Sequence, residues 1–320
     1  MQRALFAFLI AITLPLCGDT AEDDSIAAQL HARGVRIEQP RAILWYRAAD
    51  MHASTAKMFA QRLSSGVDEI ETVLGTKYER AKIECFVHPD AGMSHAYMAA
   101  KPYFFVTPER VNAREVPYRH ELTHLVAWWS CDKALWLQEG FADYVSSEAR
   151  RRFRHEPELD VNVFNPKDED IDVVAARVGP VAEKVLPLIG VDATPMSLRH
   201  RRAFNAIFND REVTAPAFYN LSHSYTRFLV KRIGLEKVEA ACRTRHPSAT
   251  IGEALRSEWL DSTQRRVVTR RYNPSQWPEK PRSSRATNAA RSRRSGSDAV
   301  PTATPGTPSP KKTLRLVRTR

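Results

Sequence analysis

The stretch YRHELTHLVAWW, residues 118–129, places His120 and His124 four residues apart with Glu121 directly after the first histidine. On an α-helix, residues four apart lie on one face, so two imidazoles can aim at one point while Glu121 approaches from beside them. That is the HExxH pattern: two metal ligands and a general base for a water at the metal's open position. The competing interpretation is a surface helix carrying two solvated histidines. A tetrahedral catalytic zinc needs a third protein ligand. The segment LWLQEGFADY (135–144) offers Glu139, fourteen intervening residues after His124, with Gly140 next to it for close backbone packing. Asp143, at Glu139 plus four, shares that helix face and can accept the free ring N–H of a ligand histidine. Taken singly, Glu139 also fits a carboxylate complementing a helix start, and Asp143 a solvated polar position.

These side chains need two helices joined by a turn, and the pattern supplies them. Pro117 predicts a helix start, and the helix runs to about Trp129. CDKA (131–134) predicts a turn with Asp132 as N-cap, followed by a helix from Leu135 to Arg152. Upstream, RAILWYR (41–47), AKIECFVHP (81–89) and YFFVTP (103–108) predict strands. Residues 52–75 predict a helix, with Met58, Phe59, Leu63, Val67, Ile70 and Leu74 at spacings of three and four. Residues 153–195 are mixed and interrupted by proline. Downstream, helices are expected over 196–209, 217–233, 235–244, 250–259 and 262–271. Strands before residue 110 and helices after it make an α+β chain, with the two histidines at the junction, where clefts tend to lie.

Both ends differ from the body. The apolar run ALFAFLIAITLPL (4–16) after MQR suits a secretory signal over residues 1–20, and so an exported protein, periplasmic or secreted. Lipidation at Cys17 and an uncleaved membrane anchor are the other readings of that run. Residues 21–272 form the expected domain. Residues 273–320 carry eleven Lys/Arg against two Asp/Glu and are rich in Pro, Ser and Thr, which predicts a disordered tail. The chain's net charge of +11 is therefore mostly the tail's. An anionic surface, lipid or cell-wall polymer, suits that tail better than nucleic acid, since aromatics other than Trp277 are missing. Simple solubilisation is the plainer role. Cys85, Cys131 and Cys242 allow at most one disulfide, which spacing does not choose, and buried thiols are the expectation for each.

With HELTH and WLQEGFADY both in place, the chain resembles the gluzincin zinc peptidases, closest to the aminopeptidase-like branch and related secreted families. The resemblance covers 117–150, and more faintly 80–272. It implies a zincin-like two-lobed fold, with a mixed β/α N-terminal lobe, the HExxH helix at the cleft and a helical C-terminal lobe. It also implies Zn2+ on His120, His124 and Glu139, Glu121 as base and Asp143 behind the ligands. In that branch a tyrosine opens a helix as Y-x-x-G with a glycine fifteen residues on. Tyr219 and Gly234 have that separation, with Ser222 at the small position, so Tyr219 is the implied oxyanion donor. His223 and Tyr225 on the same helix are rivals. The implied function is zinc-dependent hydrolysis of a peptide or protein substrate. No G-A-M-E-N type strand precedes His120, so an endopeptidase or narrow-specificity peptidase fits better than an aminopeptidase. A non-catalytic binding protein on the same fold is the alternative, against which the intact Glu121 argues.

Overall fold

A computed structural model describes residues 20–92, 94–97, 102–127, 131, 133–178, 181–195 and 197–271, all within one compact unit. The proposed signal run with Cys17, the Asp132 cap and the basic tail lie outside the described residues.

Among these residues the chain is α+β, with one mixed five-stranded sheet in the order β1-β2-β3-β5-β4. The strands are β1 (Val35–Glu38), β2 (Ala42–Tyr46), β3 (Ile83–Val87), β4 (His95–Tyr97) and β5 (Tyr103–Val106). β2, β3 and β5 run parallel, while β1 and β4 are antiparallel edges. Alternation along the strands separates two faces. Leu44, Cys85 and Phe104 are paired in register and enter the main core, whereas Phe86 and Phe105 face the other way. There α1 (Thr20–Arg33) covers them with Ile26 and Leu30. The main face is covered by α2 (Ala53–Leu74), whose Phe59, Leu63, Val67 and Ile70 are fully buried, the stripe expected from the spacing.

After β5 the chain is helical: α3 (Pro108–Ala113), α4 (Tyr118–Ala127), α5 (Leu135–Arg152), α6 (Ile171–Ala176), α7 (Ala182–Val185), α8 (Leu198–Asn209), α9 (Thr214–Ile233), α10 (Leu235–Cys242), α11 (Pro247–Ile251) and α12 (Glu253–Arg271). α4 begins where Pro117 predicts, with the Glu121 N–H donating to the Pro117 carbonyl at 3.1 Å. α5 has the expected bounds, but its N-cap residue is Ala134, which makes no side-chain cap.

Three expectations need correcting. α9 starts at Thr214 rather than 217, because Pro216 falls in the first turn, where its missing N–H leaves nothing unpaired. Tyr219 therefore sits in the second turn and does not open the helix. The break expected between 259 and 262 falls instead at Gly252, leaving α12 continuous from Glu253. Finally, Cys131 and Cys242 are not thiols but a disulfide, with Cα atoms 4.6 Å apart. Cys85 is the buried free thiol expected, and burial raises its pKa well above the usual range.

Candidate metal centre

The HExxH helix is held rigidly by the residue before its first histidine. Arg119 is fully buried, and its Nε donates to Glu69 at 2.7 Å. Its other guanidinium nitrogens reach the Phe153 carbonyl at 2.9 Å and Glu158 at 3.3 Å. Asp160 accepts the Arg119 backbone N–H at 3.1 Å and pairs with Arg150 of α5 at 2.9 Å. One buried carboxylate thus joins the start of α4 to α5. On the same helix Tyr118, Leu122 and Leu125 enter the core, which leaves the half-buried His120 and His124 to meet Glu139 of α5.

α5 brings the third ligand candidate. The Glu139 carboxylate lies 3.3 Å from His120 Nε2 and 3.7 Å from His124 Nε2, and the two Nε2 atoms are 3.1 Å apart. Ligands about 2.0–2.1 Å from a tetrahedral ion would stand about 3.3 Å from one another, so this triad has the span a small cation requires. The three residues can hold a metal ion, their ligand atoms all lying within 4.8 Å of one another. His120 Nδ1 donates to Asp143 Oδ1 at 2.8 Å, which fixes the tautomer and leaves Nε2 for a metal.

Electrostatics follow from the crowding. Burial works against ionising Glu139, but His124 and His120 outweigh it and hold the carboxyl far below its usual range. Burial likewise opposes charge on His120, and Asp143 and Glu139 override it, raising the imidazole. Glu121 moves the other way: burial raises its pKa, partly offset by the two histidines. The pKa values of the two glutamates are thus shifted in opposite directions, Glu139 down by the histidines and Glu121 up by burial.

Neither protein-family models nor curated proteins give a match to this sequence.

His120, Glu121 and Asp143 line a cavity of about 300 Å³, and Tyr219 of α9 lines it as well. The Tyr219 ring centroid is 6.3 Å from that of His120 and stacks on Phe164 at 4.3 Å. His223 is one turn deeper on α9, buried and absent from the cavity lining. It faces a second groove with Arg150 and Arg227, and burial lowers its pKa to about 4. Tyr225 is buried between Trp136 and Trp259, its ring stacked on both at 4.7 Å, so it serves the core.

Several cavity residues carried no sequence signal. Val161, Val163 and Phe164 come from a loop in the proline-interrupted region, pinned by Val116–Asp160 bridging and by Asn220 donating to the Phe164 carbonyl at 3.1 Å. Arg110 of α3 and Arg211, between α8 and α9, line it as well.

Proposed function

We propose that this chain is an exported zinc peptidase of the gluzincin kind, built on a zincin-like two-lobed fold. The observation that carries the proposal is the convergence of His120, His124 and Glu139 beside a cavity into which a separate, buried glutamate projects. A purely structural zinc site would be closed by a fourth ligand and has no use for a carboxylate beside its open side. The N,N,O donor set suits zinc among the available cations. Once bound, zinc would supply Lewis-acid polarisation of a carbonyl and a more acidic water.

The protein's own groups do the rest. Glu121, with its pKa raised by burial, takes the proton of the attacking water and returns it to the leaving amine. Asp143 keeps His120 in the required tautomer and orientation. Tyr219, across the cavity from His120, donates its hydroxyl to the oxyanion that develops on the carbonyl. β4 is an edge of the described sheet beside α4, and Ser94 just before it lines the cavity, so an extended peptide entering the cavity would run alongside that edge. The Cys131–Cys242 disulfide supports an oxidising compartment, in keeping with export.

The test combines metal content and hydrolysis. Elemental analysis of purified protein is expected to give one zinc per chain, lost in His120→Ala. Glu121→Gln keeps the zinc but loses about 10²–10⁴-fold in turnover of a quenched fluorescent peptide library. Near-normal turnover by Glu121→Gln overturns the mechanism.

A further inference from the structure

The same cavity holds two positive charges that the chemistry above does not use. Arg110 is half-buried on α3, on the sheet-bearing side, and Arg211 is exposed in the turn entering α9. Among the described residues neither forms a salt bridge or side-chain hydrogen bond. The buried arginines near the site behave differently: Arg119 is paired with Glu69, and Arg150 with Asp160 and Asp168. Of the carboxylates lining the cavity, Asp143 accepts from His120 through Oδ1, and neither it nor Glu121 pairs with an arginine among the described residues. The same cavity is lined by the apolar side chains of Val161, Val163, Phe164, Phe208 and Ala215.

A guanidinium stays ionised at any working pH and offers a planar fork of donors that matches a carboxylate. Beside low-dielectric walls its attraction for an anion is stronger than in open water. Two such groups line the cavity from separate segments of the chain, and among the described residues neither is matched by a carboxylate of the protein itself. A cavity of about 300 Å³ is at the small end for a ligand site, so it admits one or two residues and not a long segment.

On the peptidase reading above, we propose that Arg110 and Arg211 form a carboxylate-recognising subsite, so that the favoured substrates are peptides with an anionic group next to the scissile bond. The carboxylate comes from an Asp or Glu side chain or from the substrate's own C-terminus. Arg110 contributes more than Arg211, because its partial burial spares it solvent screening.

The test uses full-length, zinc-loaded protein and two sets of paired peptides, Glu against Gln beside the cleaved bond, and free acid against amide at the C-terminus. The anionic member of at least one pair is expected to be cleaved about tenfold faster in kcat/KM, mostly through KM, since a charge-assisted hydrogen bond is lost with the charge. Arg110→Gln brings that ratio towards one, Arg211→Gln reduces it less, and added salt weakens it. Discrimination in the Glu/Gln pair alone identifies a side-chain carboxylate, and in the acid/amide pair alone a C-terminal one. Hydrolysis with no charge preference, or with a preference that both arginine variants retain, overturns the subsite and leaves the peptidase reading intact. Binding of the same peptides to zinc-loaded Glu121→Gln separates the two ideas. Charge-dependent binding to a protein that never cleaves any of them overturns the peptidase reading and keeps the subsite. Absence of both cleavage and charge-dependent binding overturns both.

Discussion

Tyr219 and His223 are four residues apart on one helix, yet they face different spaces. One turn of helix is about 5.4 Å, enough to carry a side chain from a cleft into the packing beneath it. Tyr219 lines the cavity beside the candidate metal triad, and His223 lines a groove with Arg150 and Arg227. A donor used only in the transition state lowers kcat on removal while substrate binding barely changes. Tyr219→Phe keeps the ring that stacks on Phe164 and deletes the hydroxyl. It is expected to lower kcat by about a hundredfold or more with KM nearly unchanged. His223→Phe places a larger apolar ring in a buried polar setting, so its expected effect is a lower Tm, with kcat of the folded enzyme largely kept. The opposite pattern, kcat lost with His223 and kept in Tyr219→Phe, assigns the oxyanion to the histidine. At this scale the sequence was most informative where ligand spacing is short range. His120, Glu121 and His124 are fixed by one helical turn, and Glu139 and Asp143 by another. The cavity wall was not legible, because Val161, Phe164, Arg110 and Arg211 reach the cleft from four separate segments whose placement depends on packing rather than on period.

Helix placement decides whether the two ligand-bearing turns meet, and glycine marks where backbones come closest. A Cβ built on Gly66 of α2 would lie 2.8 Å from Leu122 and 2.9 Å from Tyr118, so α2 supports α4 at close range. On Gly140 it would lie 2.3 Å from the Ser222 carbonyl oxygen of α9, a backbone atom that has no rotamer to escape into. Gly140 follows Glu139 directly, so the contact that seats α5 on α9 also sets the position of the ligand. Gly140→Ala is therefore expected to push α5 off α9, costing about 1–3 kcal/mol of stability. It should also weaken zinc binding, because Glu139 and Asp143 move with the helix. Chelator titration alongside thermal unfolding checks both; unchanged affinity and Tm together would mean that α9 yields without moving the ligand. The core helices α2 and α5, and the start of α4, were predicted to within two residues because each carries an apolar stripe or a terminator; the expected end of α4 lies outside the described residues. α1, β1, α3 and β4 were missed, and α6 and α7 fall in the stretch read only as mixed. α1 is polar over most of its length and buries little more than Ile26 and Leu30, while α3 and β4 are too short for periodicity to register.

Across the whole molecule, the long-range constraint is the bond from Cys131, at the entry to α5, to Cys242, the last residue of α10, 111 residues apart. It closes a loop that contains α5 to α10, and hence Glu139, Asp143 and Tyr219. Closing a loop of that size removes unfolded-state entropy, for which chain-entropy arguments give up to about 4–5 kcal/mol. Measured values fall below that ceiling, and about 2–4 kcal/mol in a domain of this size lowers Tm by about 5–15 °C. Both sulfurs are buried, yet neither residue belongs to the metal triad or to the cavity lining. The triad is positioned instead by local packing: α4 on α2 at Gly66, α5 on α9 at Gly140, and the Asp160 link between α4 and α5. Cys131→Ala and Cys242→Ala are therefore expected to lower Tm by similar amounts, with zinc stoichiometry and turnover at 25 °C little altered. Because the two residues act as one unit, the double variant should lose about as much as either single one, not the sum. Reduction of the native protein should bring its Tm to the same level. Additive losses in the double variant, or single variants with the Tm of the oxidised protein, would show that the two cysteines contribute only as separate core side chains and that local packing alone holds the helical half together.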